Sequence, residues 1–175
     1  ALYAGDVPLG AGMSSSAALE CCFAFALNDL FGGKLDRMQM ARIGQATEHR
    51  YVGVKCGIMD QFASMHGRRG SLMRLDCRSG EFQYYPWQPD GYSLVLVNTC
   101  VKHQLVGSPY NERRASCEHV AALAGVETLR DCTWQQLDAI RPKLTEQDYR
   151  RARFVLGETD RVMAVCNALE NADYE

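Results

Sequence analysis

Residues 8–18 read Pro-Leu-Gly-Ala-Gly-Met-Ser-Ser-Ser-Ala-Ala and run straight into an apolar stretch that does not break until Gly32-Gly33. This order constrains the fold more than any other feature of the chain. A loop able to take left-handed backbone at Gly10 and Gly12 must turn at once into a helix, and Ser14, Ser15 and Ser16 are good helix-start residues with hydroxyls to spare. From Ser14 to Phe31 the predicted helix is apolar nearly all round, with Glu20, Asn28 and Asp29 the exceptions, which predicts burial on most faces. Its free N–H groups and dipole would face an anion bound in the loop. On this stretch alone, a phosphate cradle and an ordinary Gly/Ser loop before a buried helix both remain open.

The common phosphate motifs are absent. G-x-x-x-x-G-K-[ST] does not occur, and no lysine lies between Gly10 and Lys34. A dinucleotide G-x-G-x-x-G fails because Ser15 stands where the third glycine belongs. Backbone amides and serines must therefore do what a lysine does elsewhere.

The remaining pattern is mixed at first and helical later. Residues 1–7 read as a short strand. Asp36 with Gln39 forms a predicted capping box for a helix to Tyr51, with Leu35, Met38, Met40 and Ile43 on its inner side. A loop with Gly53 and Gly57 precedes a short helix from Ile58 to Met65. Residues 71–77 and 81–87 predict a hairpin across Ser79-Gly80, with Met73, Leu75 and Cys77 alternating against Arg74 and Asp76. Residues 92–101, with Leu94-Val95-Leu96-Val97, predict a buried strand. Beyond, Ser108 reads as a helix cap before Pro109, and Thr133/Gln136 and Thr145/Asp148 as two further capping boxes. The switch near residue 105 predicts a domain boundary, with 1–105 in one domain and 106–175 in the next.

With 175 residues and 47% hydrophobic content, the chain is long enough to fold around a real core. A net charge of −2 argues against a nucleic-acid partner, and the arginines at 150, 151 and 153 read as a solvated helix face. None of the eight cysteines forms a Cys-x-x-Cys pair, so structural zinc is disfavoured, and reduced thiols in apolar runs act as small hydrophobes. No signal peptide is visible and the apolar run 21–27 is too short to span a membrane, so the expected compartment is the cytoplasm. The chain begins at Ala1 without an initiator Met and stops at Glu175 just after a helical pattern. Both ends read as cuts in a longer protein.

Two further sites carry chemistry. Asp60 lies among Ile58, Met59, Phe62 and Ala63. Its spacing favours a helix N-cap, with a catalytic carboxylate as the other reading. Glu48, beside His49, reads either as part of a solvated turn or as a magnesium ligand, since Mg²⁺ takes one or two carboxylates plus phosphate oxygens. His66, His103 and His119 show no metal spacing.

Several of these stretches, in order, resemble galactokinases of the galactokinase–homoserine kinase–mevalonate kinase–phosphomevalonate kinase superfamily. The segment Pro8–Glu20 resembles the family's ATP-phosphate motif, Gly57–Phe62 the segment bearing its catalytic aspartate, and Leu75–Ser79 a galactokinase hairpin. Asn98, Val101, His103, Leu105, Ser108, Tyr110, Arg113, Arg114, Cys117 and Glu118 follow the pattern that carries a sugar-contacting tyrosine, and Arg151-Ala152-Arg153 with Gly157-Glu158 fit the helical segment beyond. The resemblance spans essentially the whole chain.

It implies an α+β fold of the two-domain sugar-kinase type. The N-terminal domain would be ribosomal protein S5 domain 2-like, the C-terminal domain ferredoxin-like but truncated, with only part of each here. It also implies ATP-dependent phosphoryl transfer to the 1-hydroxyl of galactose, a transferase of galactose metabolism. Asp60 is then the base or the orienting carboxylate for that hydroxyl. Leu9, Gly10, Ala11, Gly12, Met13, Ser14, Ser15 and Ser16 line the ATP site, with Leu9 near the adenine. Ser16 and Glu48 hold Mg²⁺. Gly57, Asp60 and Tyr110 contact the sugar.

Cys100 departs from the asparagine common in the family. The family's Arg…Gly-Glu-His-Thr-Asp-Tyr and Gly-Gly-Gly-Phe-Gly-Gly segments do not occur in these residues, so the excerpt is expected to be inactive alone. Its exposed apolar surface is expected to drive self-association or association with the rest of the parent. A non-catalytic sugar sensor on the same scaffold and a kinase acting on N-acetylgalactosamine are the neighbouring alternatives. Intact Ser14–Ser16 and Asp60 favour catalysis. A Ser/His/Asp hydrolase is disfavoured because no G-x-S-x-G elbow occurs.

Overall fold

A computed structural model of the protein describes residues 2–100 and 109–174. The chain divides into two compact units, Ala1–Ser108 and Pro109–Glu175.

The first unit is built on three mutually packed helices, α1 (Ser15–Leu30), α2 (Arg37–Thr47) and α3 (Met59–His66). α1 stops where Gly32 takes φ 63° and the Gly33 N–H closes onto the Asn28 carbonyl at 2.8 Å. Asn28 then exchanges two hydrogen bonds with the Leu35 backbone, which leads the chain into α2. α2 opens with the predicted capping box: the Asp36 carboxylate accepts from the Gln39 N–H at 2.7 Å, and the Gln39 side chain accepts from the Asp36 N–H.

At Glu48 the backbone widens into one π turn, Glu48–Val52, which Gly53 closes with φ 79°. The expected single helix to Tyr51 is therefore α-helical only to Thr47. A core of Cys21, Met40, Ala41, Ile58, Phe62 and Met65 joins the three helices, with Met73 and Leu75 packed against it. These last two come from β1 (Ser71–Leu75), which pairs antiparallel with β2 (Phe82–Pro86) in register Met73 to Tyr84. The turn is made by the Asp76 carboxylate accepting from the N–H groups of Arg78 and Ser79, and by Gly80 at φ 80°. Both strands are shorter than their alternating patterns, and Cys77 is exposed rather than inward.

Five expectations fail here. Residues 2–7 form no strand. Residues 92–100 form none either, and Leu94, Val95, Leu96 and Val97 are each 74–78% exposed. A strand apolar on both faces needs flanking strands and covering layers, and the sole described sheet has two strands. α1 buries only Ala17 and Cys21, leaving Leu19, Phe23, Phe25, Leu30 and Phe31 exposed. The described residues offer it one layer of helices, not two. On α2, Leu35 and Ile43 face outward while Met40 is buried. Cys22, Cys77 and Cys100 are likewise exposed thiols rather than core fillers.

The second unit is all helix: α4 (Pro109–Ala124), a 3₁₀ turn Leu129–Asp131, α5 (Trp134–Ile140), a second 3₁₀ turn Arg141–Lys143 and α6 (Glu146–Glu170). Its core is Val120, Ala121, Leu129, Cys132, Leu137, Ile140, Ala152 and Leu156. The Thr133/Gln136 box is complete, whereas at Thr145 the hydroxyl caps the Asp148 N–H and in turn donates to the Asp148 carboxylate at 2.7 Å. Arg151 is not a solvated charge: its guanidinium donates to the Ser116 hydroxyl at 2.7 Å and ties α6 to α4. The expected cap at Ser108, and His103 and Leu105, lie outside the described residues.

Candidate active site

Three loops and helix starts of the first unit carry the predicted site. In the glycine loop, Gly10, Gly12 and Ser14 take φ of 69°, 72° and 56°, while Ala11 and Met13 between them do not. A backbone whose φ alternates in sign turns successive N–H groups towards one side, which makes a concave anion nest. Ser14 is the N-cap of α1, yet its side chain caps no N–H. A serine in left-handed backbone is uncommon, and here it leaves both its hydroxyl and the first amides of α1 uncommitted to each other. A Cβ built on Gly10 or Gly12 meets no protein atom within 4 Å, so the space over the loop is open. Ser14, Ser15 and Ser16 are half-buried, and Leu9 is 87% exposed.

Glu48 starts the π turn and is 4% exposed, with one carboxylate oxygen, Oε2, buried and without a hydrogen-bond partner. π turns are rare and cluster at functional positions. The solvated-turn reading of Glu48 is thereby corrected: Gly44 and Glu48 lie one turn apart on the buried face of α2. The crowding at this face is tight. A Cβ at Gly44 would stand 2.9 Å from Gln61 Cγ and 3.4 Å from Glu20 Oε2. Glu20 of α1 accepts from Gln61 Nε2 at 3.4 Å. Burial pushes its carboxyl above the ordinary range, the Gln61 hydrogen bond opposes that, and the Glu48 charge adds to it. The same two causes, burial first and Glu48 next, raise the Cys56 thiol.

A buried carboxylate oxygen without a partner, beside a second carboxylate, is a place that a cation satisfies. Ser16 stands one turn before Glu20 on α1. Glu48 and Ser16 thus fit a magnesium ion in donor chemistry. Among the described residues there is no cluster of three or more His, Cys, Asp or Glu side chains able to hold a metal by themselves.

Asp60 sits in the first turn of α3, half-buried, where the helix dipole favours a carboxylate. It is not the N-cap: Ile58 is, with no side-chain cap. Gly57 is exposed, and a Cβ there would meet nothing within 4 Å, so the fold does not require its bareness. The three helices in mutual contact carry Ser15, Ser16 and Asp60, with Ser14 as the N-cap of α1, Glu48 in the π turn that follows α2 and Gly57 in the loop before α3. Tyr110, in the first turn of α4 and 46% exposed, belongs to the second unit. Sequence reasoning missed Gln45, His49 and Gln61, which support this region. The i, i+4 spacing of Gln45 and His49 was the available signal.

The first unit thus carries a nest that opens one helix, a carboxylate in the first turn of a second and a buried carboxylate in the π turn that follows a third. Residues 2–68 match the family described as GHMP kinases N terminal domain, and the chain is homologous to galactokinases. The galactokinase of Thermotoga neapolitana is 40% identical over 97% of this chain and 47% of its own length. That of Homo sapiens is 38% identical over 99% of this chain and 44% of its own length. The structure of Lactococcus lactis galactokinase complexed with galactose matches with a TM-score of 0.88 at 31% identity, over 97% of this chain and 45% of that one. The chain spans about half the length of the curated relatives it matches.

Proposed function

We propose that this chain supplies the phosphate, magnesium and acceptor wall of an enzyme that transfers the γ-phosphoryl group of ATP to the 1-hydroxyl of D-galactose. The observation that supports it most is the left-handed alternation at Gly10, Gly12 and Ser14 opening α1, packed against the helix that carries Asp60. In this reading the loop amides and Ser14–Ser16 take the ATP phosphates, with Leu9 towards the adenine. Glu48 and Ser16 hold Mg²⁺, which supplies charge neutralisation on the phosphate oxygens. Gly57 offers backbone to the sugar and Tyr110 a side chain.

Asp60 orients the anomeric hydroxyl and accepts its proton. The sugar O1 forms its bond to the γ-phosphorus as the bond from that phosphorus to the ADP oxygen breaks, and ADP leaves. A loose transition state asks mainly for positioning and electrostatics, which amides, a helix start and a carboxylate provide without a phosphate-loop lysine.

The test grafts residues 1–175 into the Thermotoga neapolitana galactokinase in place of the matching segment. Galactose-dependent ADP formation is expected, with Asp60→Ala abolishing it while the fold is kept. Turnover unchanged by D60A refutes the mechanism. N-acetylgalactosamine turned over in preference to galactose replaces the substrate, and sugar binding without any turnover points to a sensor.

No helix among the described residues is long and apolar enough to cross a membrane, and a cytoplasmic location goes with this reading. The exposed face of α1 and the exposed run 94–97 drive association with a second copy of the isolated chain. Light scattering that finds a clean monomer refutes that association.

A further inference from the structure

His49 is not among the residues that the kinase reading uses, although it adjoins Glu48. Its ring is exposed, yet its Nε2 lies 2.8 Å from the Cys56 carbonyl oxygen. Gln45 Nε2, one turn earlier, donates to the same oxygen at 3.2 Å. A carbonyl has two lone pairs, and here both find side-chain donors from one helix face. The acceptor is the last peptide oxygen before Gly57. Between buried Val54 and buried Ile58, Cys56 N–H closes a tight turn onto the Val54 carbonyl at 2.9 Å, and Gly57 has no side chain to pack. Glycines at 53 and 57 make this stretch costly to order.

We propose that His49, seconded by Gln45, is a positioning residue: a carbonyl clamp that fixes Gly57 and, through it, the start of α3 where Asp60 stands. The π turn carries its mechanical logic. It buries Glu48 while it leaves the next residue outside, free to reach across to the loop. A carbonyl oxygen only accepts, so the ring serves it as an Nε2–H donor, and any side chain presenting N–H at that distance serves equally. The clamp acts on the sugar side of the site and not on the phosphate loop, which lies on α1. Its kinetic consequences rest on the kinase reading. Its structural consequences do not.

Two measurements therefore run in parallel. In the 175-residue chain, amide hydrogen exchange followed by NMR is compared for wild type, His49→Ala and His49→Gln. H49A is expected to speed exchange at Gly57 and Asp60 by about 2- to 12-fold, the range of one net hydrogen bond, with Ser15–Ala18 unchanged and H49Q close to wild type. In the grafted galactokinase, H49A is expected to lower kcat/KM for galactose by a similar factor and leave KM for ATP within about twofold.

Uniform loosening of the whole first unit overturns the clamp, as does H49Q behaving like H49A. An ATP KM that rises in step with the galactose effect also overturns it. If the graft has no turnover, the kinase reading fails while the exchange data still decide the clamp.

Discussion

Two glycines in helices should respond oppositely to the same substitution. Gly44 and Gly157 both lie inside α-helices, where alanine is preferred by about 0.8–1.0 kcal/mol on propensity alone. At Gly157 the new Cβ meets only the Arg161 guanidinium, at 3.2 Å. That arm is more than half exposed, and its ion pair with Glu158 is on the surface, where solvent screens it. It swings away at little cost, so Gly157→Ala should stabilise the second unit by about 0.5–1 kcal/mol.

At Gly44 the new Cβ meets Gln61 Cγ at 2.9 Å, Glu20 Oε2 at 3.4 Å and Glu20 Cβ at 3.6 Å. Gln61 is 2% exposed and cannot retreat. Overpacking of that kind costs about 1–3 kcal/mol, which outweighs the propensity gain and leaves Gly44→Ala destabilising by up to about 2 kcal/mol. For units of this size each kcal/mol moves Tm by about 4–8 °C. The chain has two tryptophans, Trp87 in the first unit and Trp134 in the second. Single-tryptophan backgrounds (W134F and W87F) therefore report each unit separately in urea and thermal unfolding. A stabilised G44A, or equal and like-signed shifts at both positions, would refute the close three-helix junction.

Acid should weaken the first unit through His66, whose ring stacks on Phe62 at 4.2 Å and leans on Phe82. Burial, helped by the Arg37 charge, holds its pKa below the ordinary 6.5. The unfolded chain then binds the proton more readily, so stability is full above pH 6.5 and declines as pH falls below it, until the folded ring also titrates. Urea midpoints at pH 5 and 7.5 should differ in wild type, with His66→Phe removing the contribution of this ring. Glu48→Met should stabilise the metal-free chain by about 1–3 kcal/mol, by removing a buried oxygen without a partner, and should abolish Mn²⁺ binding read by isothermal titration in the presence of ATP; loss of stability with binding retained contradicts the site. Thr133→Ala removes the hydroxyl half of a complete capping box, leaves the backbone N–H of residue 133 on the Gln136 side chain, and should cost the second unit about 1 kcal/mol by Trp134 fluorescence.

What could be read from the sequence was local. Asp36 with Gln39 and Thr133 with Gln136 fix their own helix starts, because every partner lies within one turn. The hairpin was legible because Asp76 and Gly80 make its turn by themselves. Leu94–Val97 was misread for the opposite reason: an apolar run states that it wants covering, and nothing in its own residues says what covers it. α1 failed on the same point, its composition describing two buried faces where the described residues cover one.

At the candidate site, residue types and order pointed to Glu48 and Asp60, but their surroundings were not visible. That Glu48 turns inward while His49 turns outward depends on a π turn. No propensity signals a single widened turn, since it follows from the packing of Gly44 against Gln61 and from the left-handed exit at Gly53.

That widened turn also limits how this chain can change in length. Relative to an α-helix it holds one surplus residue, and each residue added or removed turns everything downstream by about 100° around the axis. Deleting one position between Gly44 and Gly53 would relax the turn to ordinary helix and bring a neighbour into the place of Glu48. Substitutions in this stretch can be graded by size and charge, but a single-codon insertion or deletion has no mild form. In an indel-scanning library of the grafted protein, the span from Gly44 to Gly53 should stand out as a gap in the tolerated positions, bounded by the more permissive loop at 32–35.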